Sequence, residues 1–346
     1  MAILKTTRNQ NVWREDRALL SFLVFAAQRL LNAIGLLLAV VVLNFLLIHM
    51  APGSIVDTIA GEMGGISQEL MDAIRADYGL DKPLHEQLWL YISKILQGNL
   101  GFSYFYDVPV SELIWEALPQ TLLLVITSLS LALVIGTICG VIAARRPNGA
   151  FSYFITVLAL VGFSAPVFWT GFMLLIVFAS LIPIFPPAGI VLPGLQPGTL
   201  EYVLDILHHM VLPVVSLSLI YLAFYSRLAR ASMLDVLGSD YIRTARAKGL
   251  SNLVVTYKHA LRNALIPIFT IAGLQFAQIF SGAVLVEAVF TWPGLGTVAL
   301  ESILRRDGPT ILGVLLFSSV VVVVFNLLTD LTYSVLDPRI RVGAKS

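Results

Sequence analysis

The chain has 346 residues, of which 58% are hydrophobic and only 12% charged, with a formal net charge of +1. Soluble domains carry about 25% charged residues, and the mean hydropathy here is +0.87. A large soluble core is excluded, and the chain reads as an integral membrane protein.

A helix needs about 20 apolar residues to cross the hydrocarbon core of a bilayer. Six stretches meet or nearly meet that length: 28–50, 118–144, 152–181, 209–229, 263–287 and 309–332. The expected fold is therefore all-α, with six transmembrane helices. Residues 1–27 form a basic N-terminal extension without the cleavage pattern of a signal peptide, so the first apolar run is expected to be retained. Residues 51–117 form an insert with ten acids and three bases. Within it, Ser67 is positioned to cap a helix through Ala76, with Gly79 as its stop. Pro83 is positioned to open a second helix through Gln97. Gly61, Gly64 and Gly65 punctuate the start of the insert.

The core is expected over 118–333. The one cysteine, Cys139, sits in its first apolar run, so no intrachain disulfide forms. In the third stretch Pro166 should bend the helix, and Pro183, Pro186 and Pro187 should end it. In the fourth, Pro213 falls in the expected first turn. His208-His209 invites a metal reading, but adjacent helical residues point in different directions and only Asp205 is near, which favours an interfacial pair. Gly238 should end the fourth helix. Ser239 should cap a short helix from Asp240 to Lys248, and Gly249 should stop it. Tyr241, Ala245 and Lys248 share a face by helical spacing. Ser251 can cap a further helix through Lys258, His259 and Arg262 into the fifth span, with Pro267 near its start. Residues 334–346 form a tail.

Lysine and arginine are distributed 17 to 5 between the two sides of this arrangement. By the positive-inside rule both termini are cytoplasmic and the insert is extracytoplasmic. The segment 232–262 then becomes a basic cytoplasmic island, either an ordinary inner loop or a handle for a partner.

Ser164, Pro166, Gln275, Gln278 and Ser281 are candidates for lining a pathway; hydrogen bonding between helices is the alternative for the polar side chains, and a structural kink the alternative for Ser164 and Pro166. Glu287 is an acid near the outer end of the fifth span. With Trp292, Pro293, Gly294 and Gly296 it reads either as an outer gate or docking contact, or as an interfacial acid beside an aromatic anchor.

The segments DYIRTARAKGLS and KHALRNALIP resemble the cytoplasmic signature of ABC importer permeases, and specifically of the dipeptide/oligopeptide/nickel family. YGLDKP, GNLGFSY, FSAPVFWTG, VEAVFTWPGLG and LDPRIR also resemble motifs of that family, across about residues 28–341. Arg243 stands where the general signature has an acid, and Ile266 where it has leucine. The resemblance implies the first, B-type, permease of a bacterial inner-membrane importer with the type I transmembrane fold. It also implies a coupling helix carrying Tyr241, Arg243, Ala245, Arg246, Lys248 and Gly249, docked on an ATPase subunit. Implied partners are two ABC ATPases, a second related permease and an extracytoplasmic solute-binding protein. Peptides are the implied substrate; nickel complexes, glutathione and oligosaccharides are alternatives.

No GxxxxGK[ST] loop occurs, so ATP and magnesium would be handled by partners, and this chain is expected to be non-catalytic with no cofactor of its own. No HExxH occurs either. A proton-coupled secondary transporter is the alternative from another class. Such carriers show several intramembrane ionisable groups, whereas Glu287 is the one such acid evident here.

Overall fold

The computed structural model describes residues 3–50, 67–103 and 105–336. Among them, five helices are long and apolar enough to cross a membrane. These are α1 (Ile3–Met50, apolar over Val24–Leu47), α4 (Val110–Arg145), α7 (Leu200–Leu237), α9 (Asn252–Phe290) and α11 (Gly308–Leu336). Two amphipathic helices, α2 (Gln68–Tyr78) and α3 (Leu84–Leu96), follow α1. Gly79 lies between them at φ +63°, the left-handed conformation that stops a helix. The glycines 61, 64 and 65 and the LDPRIR segment after Leu336 lie outside the described residues.

The third expected span is not one helix. α5 (Ala150–Ser164) stops at Ala165, which is extended at φ −90°, ψ 131°. α6 starts after Pro166 as Val167–Leu175 and ends in π-helical turns Ile176–Leu181. Proline disfavours helical conformation in the residue before it, and at Ala165 the backbone turns extended, so the helix is broken at Pro166 instead of bent. Ser216 Oγ donates to the Val167 carbonyl at 3.2 Å, fixing the new helix start against α7.

Helix ends differ from hydropathy limits in the fourth stretch too. α7 begins at Leu200, where Thr199 Oγ1 accepts from the Tyr202 amide at 3.2 Å. Pro213 is therefore well inside the helix. Glu201, Asp205 and the two histidines lower hydropathy without breaking helix, so capping chemistry sets the boundary. A short antiparallel hairpin, β1 (Phe102–Ser103) and β2 (Val108–Pro109), interrupts the expected all-α fold before α4.

Contacts divide the chain into two units. One holds α1, α2, α3 and α11 from Leu315 onward; the other includes Gly98–Val314. In the first, His49 Nε2 lies 2.8 Å from Gln87 Oε1, joining α1 to α3, and Arg29 pairs with Asp330 at 3.1 Å. Asp330 is a second acid within an apolar span, which the count of intramembrane acids omitted. In the second, α4 packs along α7. Gly136 and Gly140, one turn apart, let the backbones approach: a Cβ on Gly136 would lie 2.8 Å from Tyr225 Cβ, and one on Gly140 2.6 Å from Ala229 Cβ. Beside this seam Ala132, Tyr225, Ala229 and Ile268 form a buried cluster that brings α9 onto both helices. α8 (Asp240–Ala247) and α10 (Leu295–Arg305) are short helices at opposite ends of α9.

Candidate functional site

The α8 region forms the first candidate site. Gly238 caps α7, and α8 follows after Ser239. Ser239 has the extended backbone of an N-cap, but its hydroxyl donates backwards to the Val236 carbonyl at 2.6 Å and does not cap α8. Gly249 ends the element at φ +78°. Ser251 then caps α9 by accepting from the Val254 amide at 3.5 Å, and α9 continues without a break past Lys258, His259, Arg262 and Pro267.

α8 buries Ile242 and Ala245. They join Val141, Ala144, Met233, Val255, Ala260 and Ala264 in one apolar cluster, which pins α8 to α4, α7 and α9. Ala245 is thus an inward contact, where the helical-face reading had grouped it with Tyr241 and Lys248. Tyr241, Arg243, Arg246, Lys248 and Gly249 are exposed. Arg243 pairs loosely with Asp240 at 3.4 Å, and Tyr241 accepts a hydrogen bond from Asn263 Nδ2 at 2.7 Å. The result is a positively charged helix with one face anchored in the fold and the other open.

The second candidate site is the corner between α9 and α10. Glu287 and Trp292 are both fully buried. This overturns the reading of an interfacial acid with an aromatic anchor. The indole Nε1 of Trp292 donates to the Gln120 carbonyl at 3.0 Å, and the Leu295 amide donates to Thr121 Oγ1 at 2.8 Å, so the corner is tied to α4. Gly296 N–H, in the first turn of α10, donates to Glu287 Oε2 at 2.6 Å. A carboxylate there meets the positive end of the α10 dipole. Thr291 turns the chain in the left-handed conformation, φ 50°. Gly294 and Gly296 leave the space that the carboxyl group occupies: a Cβ on Gly294 would collide with it, and one on Gly296 would lie 2.8 Å from Oε2. Pro293 lies within this turn.

The pathway candidates are separated by exposure. Gln278 and Ser281 lie on one exposed stripe of α9 with Leu274 and Leu285, while Gln275 is half-buried. Gln275 Oε1 is buried without a hydrogen-bond partner. Ser164 is exposed and its hydroxyl donates to the Leu160 carbonyl at 2.8 Å; exposed Pro166 marks the α5–α6 break. The two histidines do not converge. His208 Nε2 lies 2.9 Å from the Ile184 carbonyl, and His209 Nδ1 lies 2.9 Å from the Asp205 carbonyl. Among the described residues no group of three His, Cys, Asp or Glu side chains could hold a metal ion.

A third cluster escaped the sequence reading. Ser103 Oγ donates to Asp307 Oδ2 at 2.5 Å, as does Thr310 Oγ1 at 2.6 Å, so the β1–β2 hairpin is joined to the start of α11. The Tyr106 hydroxyl donates to Glu301 Oε2 at 2.6 Å. Burial raises the Tyr106 phenol well above its ordinary value; the hydrogen bond to Glu301 and the negative charge of Glu301 and Asp307 push the same way, with Arg305 opposing. The GNLGFSY segment was the only signal for this cluster, and its partners are about 200 residues away, beyond the reach of any local pattern. The Gly136–Gly140 seam did have a sequence signal, the GxxxG spacing.

Comparison with known proteins gives the family. Residues 136–342 match the family described as binding-protein-dependent transport system inner membrane component. Residues 20–125 match the N-terminal membrane-component family of the same transport systems. A putative peptide permease protein of Brucella suis is 40% identical over 319 residues, covering 92% of this chain and 99% of the relative. An oligopeptide transport system permease protein of Bacillus subtilis is 39% identical over 319 residues, with the same coverage. A dipeptide transport system permease protein of Escherichia coli is 38% identical over 336 residues, again covering 92% and 99%. Multiple long apolar helices, an anchored basic helix and similarity along nearly the full chain converge: this protein belongs to the family of inner-membrane components of binding-protein-dependent transport systems.

Proposed function

We propose that this chain is one membrane-spanning permease subunit of an ATP-driven importer of dipeptides and oligopeptides. The observation that carries the reading is full-length similarity to permeases whose names specify peptide, dipeptide or oligopeptide transport. The open face of α8 supports a coupling role. It is polar and positively charged, while Ile242 and Ala245 root the helix in a cluster shared by three long helices. A push on α8 would reach those helices as a body, which is what partner-driven alternating access requires.

In this reading the chain crosses the membrane six times, with the broken α5–α6 pair as the third crossing and both termini in the cytoplasm. The insert between the first two crossings faces outward, toward a solute-binding protein. Two ATPase subunits bind and hydrolyse ATP with magnesium, and this chain is non-catalytic. A second, related permease completes the pathway. The corner at Glu287 and Trp292 holds the outer end of α9 against α4, and Gln275, Gln278 and Ser281 face the pathway or the second permease.

Reconstitution tests this directly. The chain is placed in proteoliposomes with the companion permease, ATPases and binding protein, and uptake of a labelled dipeptide is measured. ATP-dependent uptake that survives collapse of the proton gradient is expected. Uptake that continues with a hydrolysis-dead ATPase, or that stops when the gradient collapses, would overturn the reading.

A further inference from the structure

Beside α8 lies an open groove of about 610 Å³ lined by Tyr241, Lys258, His259, Arg262, Asn263 and Ile266. Its chemistry is one-sided. Lys258 and Arg262 are exposed and one helical turn apart, so both charges reach the same rim. Tyr241 accepts from Asn263, which leaves the phenolic proton free to donate into the groove. No carboxylate is among the lining residues. Between residues 237 and 263 the sequence has five lysines and arginines and one acid, Asp240, which already faces Arg243. Within this segment the positive charge therefore outweighs the negative. At the far end Ile266 is 63% exposed, an apolar wall beside a ring of donors.

We infer that this groove receives an acidic segment of the ATPase subunit, a carboxylate side chain set next to an apolar one. The inference rests on the reading of α8 as the coupling element and adds to it the chemistry of a second contact. Tyr241 belongs to both surfaces, so a partner docked on the open face of α8 already reaches the rim. A carboxylate seated there would accept from Lys258, Arg262 and Tyr241 together, and its apolar neighbour would cover Ile266. Charge-assisted bonds of this kind set orientation and association rate more than total affinity. The groove would thus fix the angle at which the ATPase grips α8.

The test uses the full chain in nanodiscs, with its companion permease and the ATPase subunits of the same importer. A photoreactive amino acid replaces Ile266 in one variant and Arg246 in another, and cross-linked peptides are identified by mass spectrometry. The expected result is an ATPase adduct from both positions, with the adduct at 266 on a segment containing aspartate or glutamate. Lys258→Glu should weaken ATPase binding about tenfold at low ionic strength, and added salt should shrink the difference. A lysine placed at the cross-linked acid of the ATPase should restore binding to Lys258→Glu. If position 246 cross-links the ATPase while position 266 yields only lipid adducts or none, the groove proposal falls and the coupling reading stands. If position 246 also gives no ATPase adduct, both fall. Lys258→Glu binding that matches wild type at low salt would overturn the groove proposal by itself.

Discussion

Gly296 offers its backbone N–H to the buried carboxylate of Glu287 at 2.6 Å, and it can do so only because it has no side chain. A methyl group at 296 would press on the Glu287 oxygen and on the Val284 backbone together. Crowding of this kind in a packed interior destabilises by about 1–3 kcal/mol. Gly296→Ala and Gly294→Ala should each lower the thermal midpoint of the purified protein, measured by tryptophan fluorescence in detergent. Combined with Glu287→Ala, either glycine change should cost less than it does alone. Additive losses in that double-mutant cycle would separate the glycines from the acid.

Gly249 presents a different case. Its φ of +78° disfavours any side chain, yet among the described residues beyond its chain neighbours nothing lies within 4 Å of where a Cβ would be. The strain is local, roughly 1–2 kcal/mol. Gly249→Asp should therefore insert normally and abolish ATP-driven uptake, because it adds bulk and negative charge to a surface expected to meet a partner. Gly249→Asn, which tolerates this backbone better, should keep more uptake. Wild-type uptake by Gly249→Asp, with normal membrane levels of the protein, would count against a coupling role.

The α4–α7 seam should tolerate no enlargement at Gly140, where a Cβ would meet the Ser226 carbonyl and Ala229 Cβ. Gly140→Val should lose about 1–3 kcal/mol of stability, read as early aggregation on heating. Ala229→Gly in the same molecule relieves one of the three close contacts and should recover part of the loss.

Tyr106 predicts an alkaline sensitivity. Its folded phenol is raised above the ordinary value by burial and by Glu301 and Asp307. The folded form therefore holds its proton at pH values where the unfolded form releases it, and this contribution is complete below about pH 10 and lost as pH climbs beyond that. The thermal midpoint of wild type should fall more steeply above about pH 10 than that of Tyr106→Phe. Parallel curves would show that Tyr106 does not carry the effect.

Accessibility distinguishes the two glutamines of α9. Gln278 is exposed and Gln275 half-buried. In otherwise cysteine-free protein, Gln278→Cys should react faster than Gln275→Cys with a small membrane-permeant thiol reagent in the isolated subunit, and with a water-soluble reagent wherever the position lines the pathway. Assembly with the second permease should change the Gln278→Cys rate. No labelling at either position in any transport state would remove both from the pathway.

The α8 region shows how far linear order reaches. Gly249 marks its turn by a left-handed backbone and Ser251 by a side-chain oxygen that caps the next helix, and both were readable from residue type and spacing. The apolar runs were equally plain, because the bilayer demands length and hydrophobicity before any packing exists. Ser239 takes the N-cap position as expected, but its hydroxyl bonds the Val236 carbonyl and reaches no amide of α8. The start of α7 was misread because hydropathy measures immersion, whereas Thr199 sets the helix end.

Residue order alone thus determined the membrane class, the helical runs and the basic short helix between two long ones, since each follows from local chemistry repeated along the chain. Tertiary packing decided the rest. It turned Ala245 inward, sank Glu287 and Trp292 out of contact with solvent, and joined Ser103 to Asp307 across 204 positions of sequence separation. Burial and long-range pairing depend on which surfaces meet in space, and that information belongs to no single segment.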